Sequence, residues 1–252
     1  MMYRHDFIGM ISSDWSQCLA PCGPFDAVIY RYPQLQRQLD DVFKRYTGNE
    51  ITLASALRKI DALLPAPLSE KDMDAYLTHH FKTYRGVADL MLWCKRNHIL
   101  FMINTTSTLG YFQRVLARNM LPEPSAISAH PSIQFSGAGQ TDLLTYELLE
   151  ITDKGLNTSK AAEHFGIPLR KIIVIGDSGG DGPHFEWACT VGAATITSMA
   201  KPSLLNYCRQ RHLKITHRFG HTYADGEPVA VKDENRYDFM GLSEVIRKVL
   251  GL

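Results

Sequence analysis

Two hydrophobic patterns alternate along the chain. Short aliphatic runs at 7–11, 99–103 and 172–175 lack a polar residue at every second position, the mark of strands buried on both faces. Residues 127–129 and 193–197 predict two further strands. Between these runs apolar residues recur every three or four positions, as on one face of a helix. Val87, Leu90, Met91 and Cys94 form one such stripe, and Phe112, Val115 and Leu116 another. The stretches 142–150, 158–165, 202–210 and 240–249 read the same way. Strand followed by helix, repeated, predicts an α/β fold with a parallel sheet.

Residues 26–86 break that rhythm with three helical stripes and no strand. Leu35, Leu39, Val42, Phe43 and Tyr46 make the first, closed by Gly48, and Leu53, Leu57, Ile60 and Leu64 the second, closed by Pro65. Met73, Tyr76, Leu77, His80, Phe81 and Tyr84 make the third, opened by Ser69 and Asp72 at capping-box spacing. The segment reads as a helical unit of the size of a small lid, and His79 and His80 as residues of a helix face. Residues 131–140 predict a loop. The stretch 211–238, rich in Gly, His and charge, predicts no defined element.

Composition narrows the function classes. With 252 residues, 45% hydrophobic and 21% charged, the chain has the make-up of a globular protein that needs no staples. A net charge of +1 offers no attraction to a polyanion or an acidic membrane, so neither nucleic acid nor membrane is expected as a partner. No apolar run is long enough to span a bilayer, and Tyr3, Arg4, His5 and Asp6 interrupt any leader, so a cytoplasmic location is expected. Five irregularly spaced cysteines predict free thiols, and Cys18 and Cys22 lack the second pair that a zinc site needs.

Candidate chemistry gathers where strands end. The 172–175 strand stops at Gly176-Asp-Ser-Gly-Gly-Asp-Gly-Pro183, which puts Asp177 and Asp181 at the C-terminal edge of the sheet. Open α/β sheets bind ligands at that edge. Hard cations take oxygen ligands, so the carboxylate pair is a candidate Mg²⁺ site. The same letters match the nucleophile loop of trypsin-like proteases, with Ser178 attacking. Those proteases are all-β, against the alternation here, and Ser128-Ala-His130-Pro131 is a poor histidine loop. His217 and His221 have the spacing of a helical metal pair, but Gly220 between them opposes a helix.

Asp14, Thr105, Lys154 and Asp177 with Asp181, in this order and context, resemble the motifs of the haloacid dehalogenase superfamily of phosphohydrolases. The family's Asp-x-Asp-x-Thr-Leu stands here as Asp14-Trp-Ser-Gln-Cys-Leu19; its strand ending in Thr or Ser stands as Thr105, with Thr106 beside it. Its lysine upstream of a helix stands as Lys154, and its Gly-Asp followed by a second Asp as Gly176, Asp177 and Asp181. The likeness spans the chain except the helical unit and the C-terminal region. It implies a doubly wound, mainly parallel sheet, with Asp14 on a central strand between the Thr105 and Asp177 strands. Residues 1–25 and 87–252 would form the α/β core and 26–86 an inserted helical cap domain. The resemblance further implies a Mg²⁺-dependent hydrolase of a small phosphorylated molecule. Asp14 would be the nucleophile. Asp14, the main-chain carbonyl of Ser16, Asp177 and Asp181 would hold the metal, while Thr105, Thr106 and Lys154 would hold the phosphate. Main-chain N–H groups from Trp15 to Gln17 would add an anion nest.

One departure shapes the expected activity. Ser16 stands where family phosphatases carry the general-acid Asp, and Cys18 where they carry Thr. A hydroxyl is a poor proton donor, and a positioned acid is worth about 10²–10⁴ in rate. Three readings follow. One is a phosphohydrolase of anhydrides, acyl phosphates or other activated esters. A second is C–P or C–halogen hydrolysis, for which Lys59 or Lys71 would supply a Schiff-base amine. The third is a phosphate-ligand binder or regulatory protein with little turnover. His184, just past the acidic loop, is expected at a helix start bonded to backbone, the alternative being a substitute proton donor.

Overall fold

The computed structural model describes residues 7–48, 50–135 and 143–252. Among the described residues seven strands form one sheet: β1 (Gly9–Ser13), β2 (Ile99–Thr108), β3 (Ala126–His130), β4 (Leu144–Glu147), β5 (Ile172–Gly176), β6 (Ala194–Ala200) and β7 (His217–Thr222). Their spatial order is β4-β3-β2-β1-β5-β6-β7, and every pairing is parallel. β1 is therefore central, with β2 and β5 on either side. The chain runs outward from β1 to β4, then returns to build the other half from β5. Such a reversal opens a crevice at the C-terminal edge beside β1.

The helices are α1 (Asp26–Arg31), α2 (Gln36–Thr47), α3 (Leu53–Leu63), α4 (Glu70–His80), α5 (Val87–Arg96), α6 (Leu109–Ala117), α7 (Asp153–His164), α8 (Gly182–Val191), α9 (Pro202–Gln210), α10 (Val231–Glu234) and α11 (Leu242–Leu250). Successive strand residues feed opposite cores. Ile11, Phe101, Ile103, Ile173 and Ile175 pack toward α5, α6 and α11. Met10, Leu100, Met102, Ile172 and Val174 pack toward α7, α8 and α9. Both faces of the sheet are thus covered, which is why these strands read as unbroken aliphatic runs.

Several expectations change. Residues 144–147 form the edge strand β4, not a helix: Leu144 and Tyr146 pack inward while Thr145 and Glu147 stay exposed, a period of two. Asp142 and the rest of 136–142 lie outside the described residues. α7 begins at Asp153, so Lys154 sits in its first turn instead of upstream. Gly155 beside it allows this close approach, because a Cβ there would stand 2.6 Å from Trp187 Cγ. The unassigned stretch 211–238 contains β7 and α10. His217 and His221 lie on β7, and His221 Nε2 pairs with Glu227 Oε1 at 2.8 Å. Among the described residues they join no cluster able to hold a metal. Ser69 and Asp72 do form the reciprocal capping box that opens α4.

Helices α1–α4 lie over the C-terminal ends of β1 and β2, where Phe43 and Tyr46 of α2 meet Asp14, Ser16 and Thr106. Two polar latches tie them down. Arg114 of α6 donates to both Asp74 carboxylate oxygens of α4, at 2.8 and 2.7 Å, and to Glu70 at 3.0 Å. Arg118 adds a bond to the Asp74 carbonyl at 2.8 Å. On the other side Glu150 accepts from the Leu53 and Ala54 amides at 3.0 and 3.1 Å, so a carboxylate from the sheet domain caps the start of α3.

Candidate active site

Four strand ends meet around a small pocket of about 90 Å³, lined by Asp14, Ser16, Thr106, Lys154, Asp177 and Lys201 among others. Asp14 follows β1, and its N–H donates to the Ile175 carbonyl of β5 at 3.0 Å, which seats it between the two strands. Asp177 follows β5, and Lys201 follows β6. Asp181 folds back over Gly176, whose missing side chain makes room: a Cβ there would stand 2.6 Å from Asp181 Cγ. The Asp177 and Ser178 amides both donate to Asp181 Oδ2, at 2.9 and 3.2 Å.

Lys154 bridges two of the carboxylates, with Nζ at 2.9 Å from Asp14 Oδ1 and 2.6 Å from Asp181 Oδ1. The Lys201 ammonium pairs with Asp177 Oδ2. Burial drives Asp14 above the usual carboxylate range, even against the charge of Lys154. Burial likewise pushes Asp177 up to about 8, with Lys201 opposing. Asp181 goes the other way: burial raises it, but the Lys154 charge and the two amide donors outweigh that and hold it low. Burial would strip the proton from Lys154, and its two carboxylate partners reverse this and hold it charged.

A buried polar network fixes the turn that carries Lys154. Asn104 Nδ2 donates to the Lys154 carbonyl at 2.9 Å and reaches Thr158 Oγ1 at 3.0 Å and Ser12 Oγ at 3.1 Å. Thr158 donates to the same carbonyl at 2.7 Å. His184 Nε2 lies 3.0 Å from the same hydroxyl and shares a hydrogen bond with it. His184 is fully buried, and burial followed by the Lys154 charge lowers its pKa to about 3. It is neutral, sits outside the pocket lining, and bonds a side chain instead of the expected backbone.

The remaining expected residues divide. Thr106 lines the pocket; Thr105 does not, and its hydroxyl instead accepts from the Ser107 amide at 3.2 Å. A register shift in β2 between Asn104 and Thr108 breaks strand alternation here. Ser16 lines the pocket, with its Oγ 2.9 Å from Ser107 Oγ. Gln17 takes a left-handed backbone, φ 57°, and donates its N–H to the Ala20 carbonyl at 2.7 Å. That amide is spent on the loop and is withdrawn from the expected anion nest. Ser178 caps the turn that carries Asp181, with its side chain accepting the Asp181 amide, a structural role far from a protease nucleophile.

The carboxylates fit a divalent cation. One oxygen from each of Asp14, Asp177 and Asp181 lies within 4.8 Å of the others. Asp177 Oδ1 is buried without a hydrogen-bond partner, a costly state that a cation would relieve.

Lys201 and Tyr46 escaped the sequence reading. β6 runs to Ala200 instead of ending at Thr197, so Lys201 did not register as a strand-end residue. The usable signal was Lys201 followed by Pro202, a strand-to-helix junction with proline at the helix start.

No protein-family model and no curated protein sequence matches the chain. Solved structures do. A phosphoserine phosphatase captured as a phospho-aspartyl intermediate analogue is 17% identical, covering 94% of this chain and 98% of its own, with a TM-score of 0.67. A substrate-bound phosphoserine phosphatase is 16% identical over 94% and 97%, also at 0.67. A HAD-family hydrolase from Salmonella enterica serovar Typhi is 19% identical over 86% and 68%, at 0.64. The chain therefore has the α/β fold of the HAD phosphatases.

Proposed function

We propose that this protein is a Mg²⁺-dependent phosphohydrolase of the HAD superfamily, acting on a small phosphorylated molecule through an aspartyl phosphate on Asp14. The observation that carries this reading is the single buried cluster of Asp14, Lys154, Asp177 and Asp181 at the sheet edge, under helices α1–α4, which serve as a cap. Two phosphoserine phosphatases with this fold, one a phospho-aspartyl intermediate analogue and one bound to substrate, support the chemistry.

The roles follow from charge. Asp14, the Ser16 carbonyl, Asp177 and Asp181 would hold the metal, which when bound offsets repulsion between the carboxylates and the phosphate. Lys154 and Thr106 hold non-bridging phosphate oxygens, while Lys154 keeps Asp14 aligned and favours its ionised form against burial. An Asp14 carboxylate oxygen attacks phosphorus, and the leaving oxygen departs with the bonding pair. Water then attacks phosphorus, frees inorganic phosphate and restores Asp14. Ser16 supplies no acid, so the reaction favours leaving groups that depart without a proton. The Schiff-base reading loses its amine: Lys59 and Lys71 are exposed, and neither lines this pocket or the larger cavity beside it.

The test is incubation with acetyl phosphate and Mg²⁺, followed by intact mass. A gain of one phosphoryl group, absent in Asp14→Asn, is expected. No adduct and no phosphate release across activated phosphates would sink the hydrolase reading in favour of a ligand binder.

A further inference from the structure

A second cavity, of about 410 Å³, opens beside the phosphate pocket and shares Pro24 and Thr106 with it. Ligand pockets typically span about 300–1,000 Å³, so this one takes a body of one or two rings. Its floor is Trp15 and Tyr111, whose rings lie 6.3 Å apart. Its roof is apolar cap surface, including Leu57 and Ile60 of α3 and Met73 of α4. Asp61 is the one charged side chain lining it among the described residues, and it is exposed. Among the described residues no lysine, arginine or histidine lines the space. Burial also keeps the Tyr76 and Tyr111 phenols and the Cys22 thiol protonated.

That lining excludes a second anion. A substrate carrying a carboxylate beyond its phosphate, as phosphoserine does, would bury that charge with no cation to meet it. Ser16 adds an independent constraint from the phosphate side, since the leaving oxygen receives no proton from the protein. Apolar groups able to depart as an anion are phenols, enols and carboxylates, and among phosphate monoesters only the first two qualify. Building on the hydrolase reading, we infer that the substrates are phosphate monoesters of uncharged aryl or enol groups, with the ring seated between Trp15, Tyr111 and the inner face of the cap. Asp14 bonds to phosphorus as the P–O(aryl) bond breaks. The electron pair leaves on the aryl oxygen, which takes its proton from water, and a second water releases phosphate from Asp14.

Binding and chemistry are tested apart. Asp14→Asn with Mg²⁺ is titrated by calorimetry with 2-naphthyl phosphate, 4-carboxyphenyl phosphate, phosphoserine and inorganic phosphate. Naphthyl phosphate is expected to bind at least tenfold tighter than each of the other three. Naphthyl phosphate binding no tighter than inorganic phosphate, or phosphoserine binding best, overturns the inference. In the wild-type background Ile60→Glu is expected to lower kcat/KM for naphthyl phosphate relative to acetyl phosphate at least tenfold. An unchanged ratio, in a variant whose circular dichroism shows it folded, also overturns it. The acetyl phosphate adduct reports Asp14 chemistry alone. An adduct without aryl preference leaves the hydrolase standing and removes this substrate class. Aryl preference without an adduct does the reverse.

Discussion

On the proposed phosphohydrolase reading, Ser16→Asp supplies a proton donor that the site would otherwise lack, and its effect follows from where Ser16 sits. The side chain lines the phosphate pocket, and its hydroxyl lies 2.9 Å from Ser107 Oγ. A carboxyl at this position extends one bond further into the pocket, with the Ser107 hydroxyl as a ready partner. As a general acid the introduced group must carry its proton near neutrality. A positioned acid gives about 10²–10⁴ in rate, or roughly 2.7–5.5 kcal/mol of barrier. The gain belongs only to leaving groups that need the proton. The assay is therefore a ratio: turnover of an alkyl ester such as 2-phenylethyl phosphate, divided by turnover of acetyl phosphate, for both proteins. The ratio is expected to rise by about 10²–10⁴ in the variant. Equal wild-type turnover of the two substrates would refute the reasoning, because the wild type would then already hold an acid. A variant that speeds both substrates equally would refute it too.

Two further outcomes test the groups beneath the site. Lys154→Met leaves Asp14 and Asp181 buried without their shared cation, so the metal-free variant should lose about 3–5 kcal/mol of stability in urea denaturation; a loss below about 1 kcal/mol contradicts the bridge. His184 has its folded pKa depressed to about 3 from 6.5, so the unfolded chain binds a proton that the native state refuses. Stability is then complete above about pH 6.5 and falls toward pH 3 by up to about 1.4 kcal/mol per pH unit. Asp177, raised to about 8, gives the opposite slope over the same range, so the His184 contribution is read as a difference. From pH 7 to 5 the stability of the wild type relative to His184→Gln should fall by up to about 1.4 kcal/mol per pH unit, and parallel curves exclude His184 as a source.

The legible parts of this chain were those in which each level of structure carries its own signal. The β1, β2 and β5 runs are pure aliphatic, and each ends at the residue that matters: Asp14, the Thr105–Thr106 pair and Asp177. Lys154 was legible by its order relative to these. What stayed hidden was strand written in polar residues. β2 continues through Asn104–Thr108 and β6 past Thr197 through Ser198, where polar side chains find buried partners: Asn104 Nδ2 donates to the Lys154 carbonyl at 2.9 Å and Ser198 Oγ to the Cys18 carbonyl at 2.8 Å. Propensity reads such residues as loop, so the true ends of β2 and β6 were lost, and Lys201 with them. β4 was misread because its four residues cannot show a period of two against neighbouring leucines. The Arg114 and Glu150 latches join residues about 40 and 96 positions apart, which no local pattern records.

The latches make the cap sensitive to its medium. The Arg114 pairs with Glu70 and Asp74 lie at the rim and are ionic, while the surface these helices turn to the cavity is apolar. Partly exposed ion pairs are screened by salt, with a Debye length of about 8 Å at physiological ionic strength, whereas apolar contact is not weakened that way. If helices α1–α4 act as the proposed cap, ionic strength acts on how often they lift and not on what fits beneath them. If release of the product sets the pace, as it does in many lidded enzymes, salt becomes an accelerator of turnover that leaves selectivity untouched.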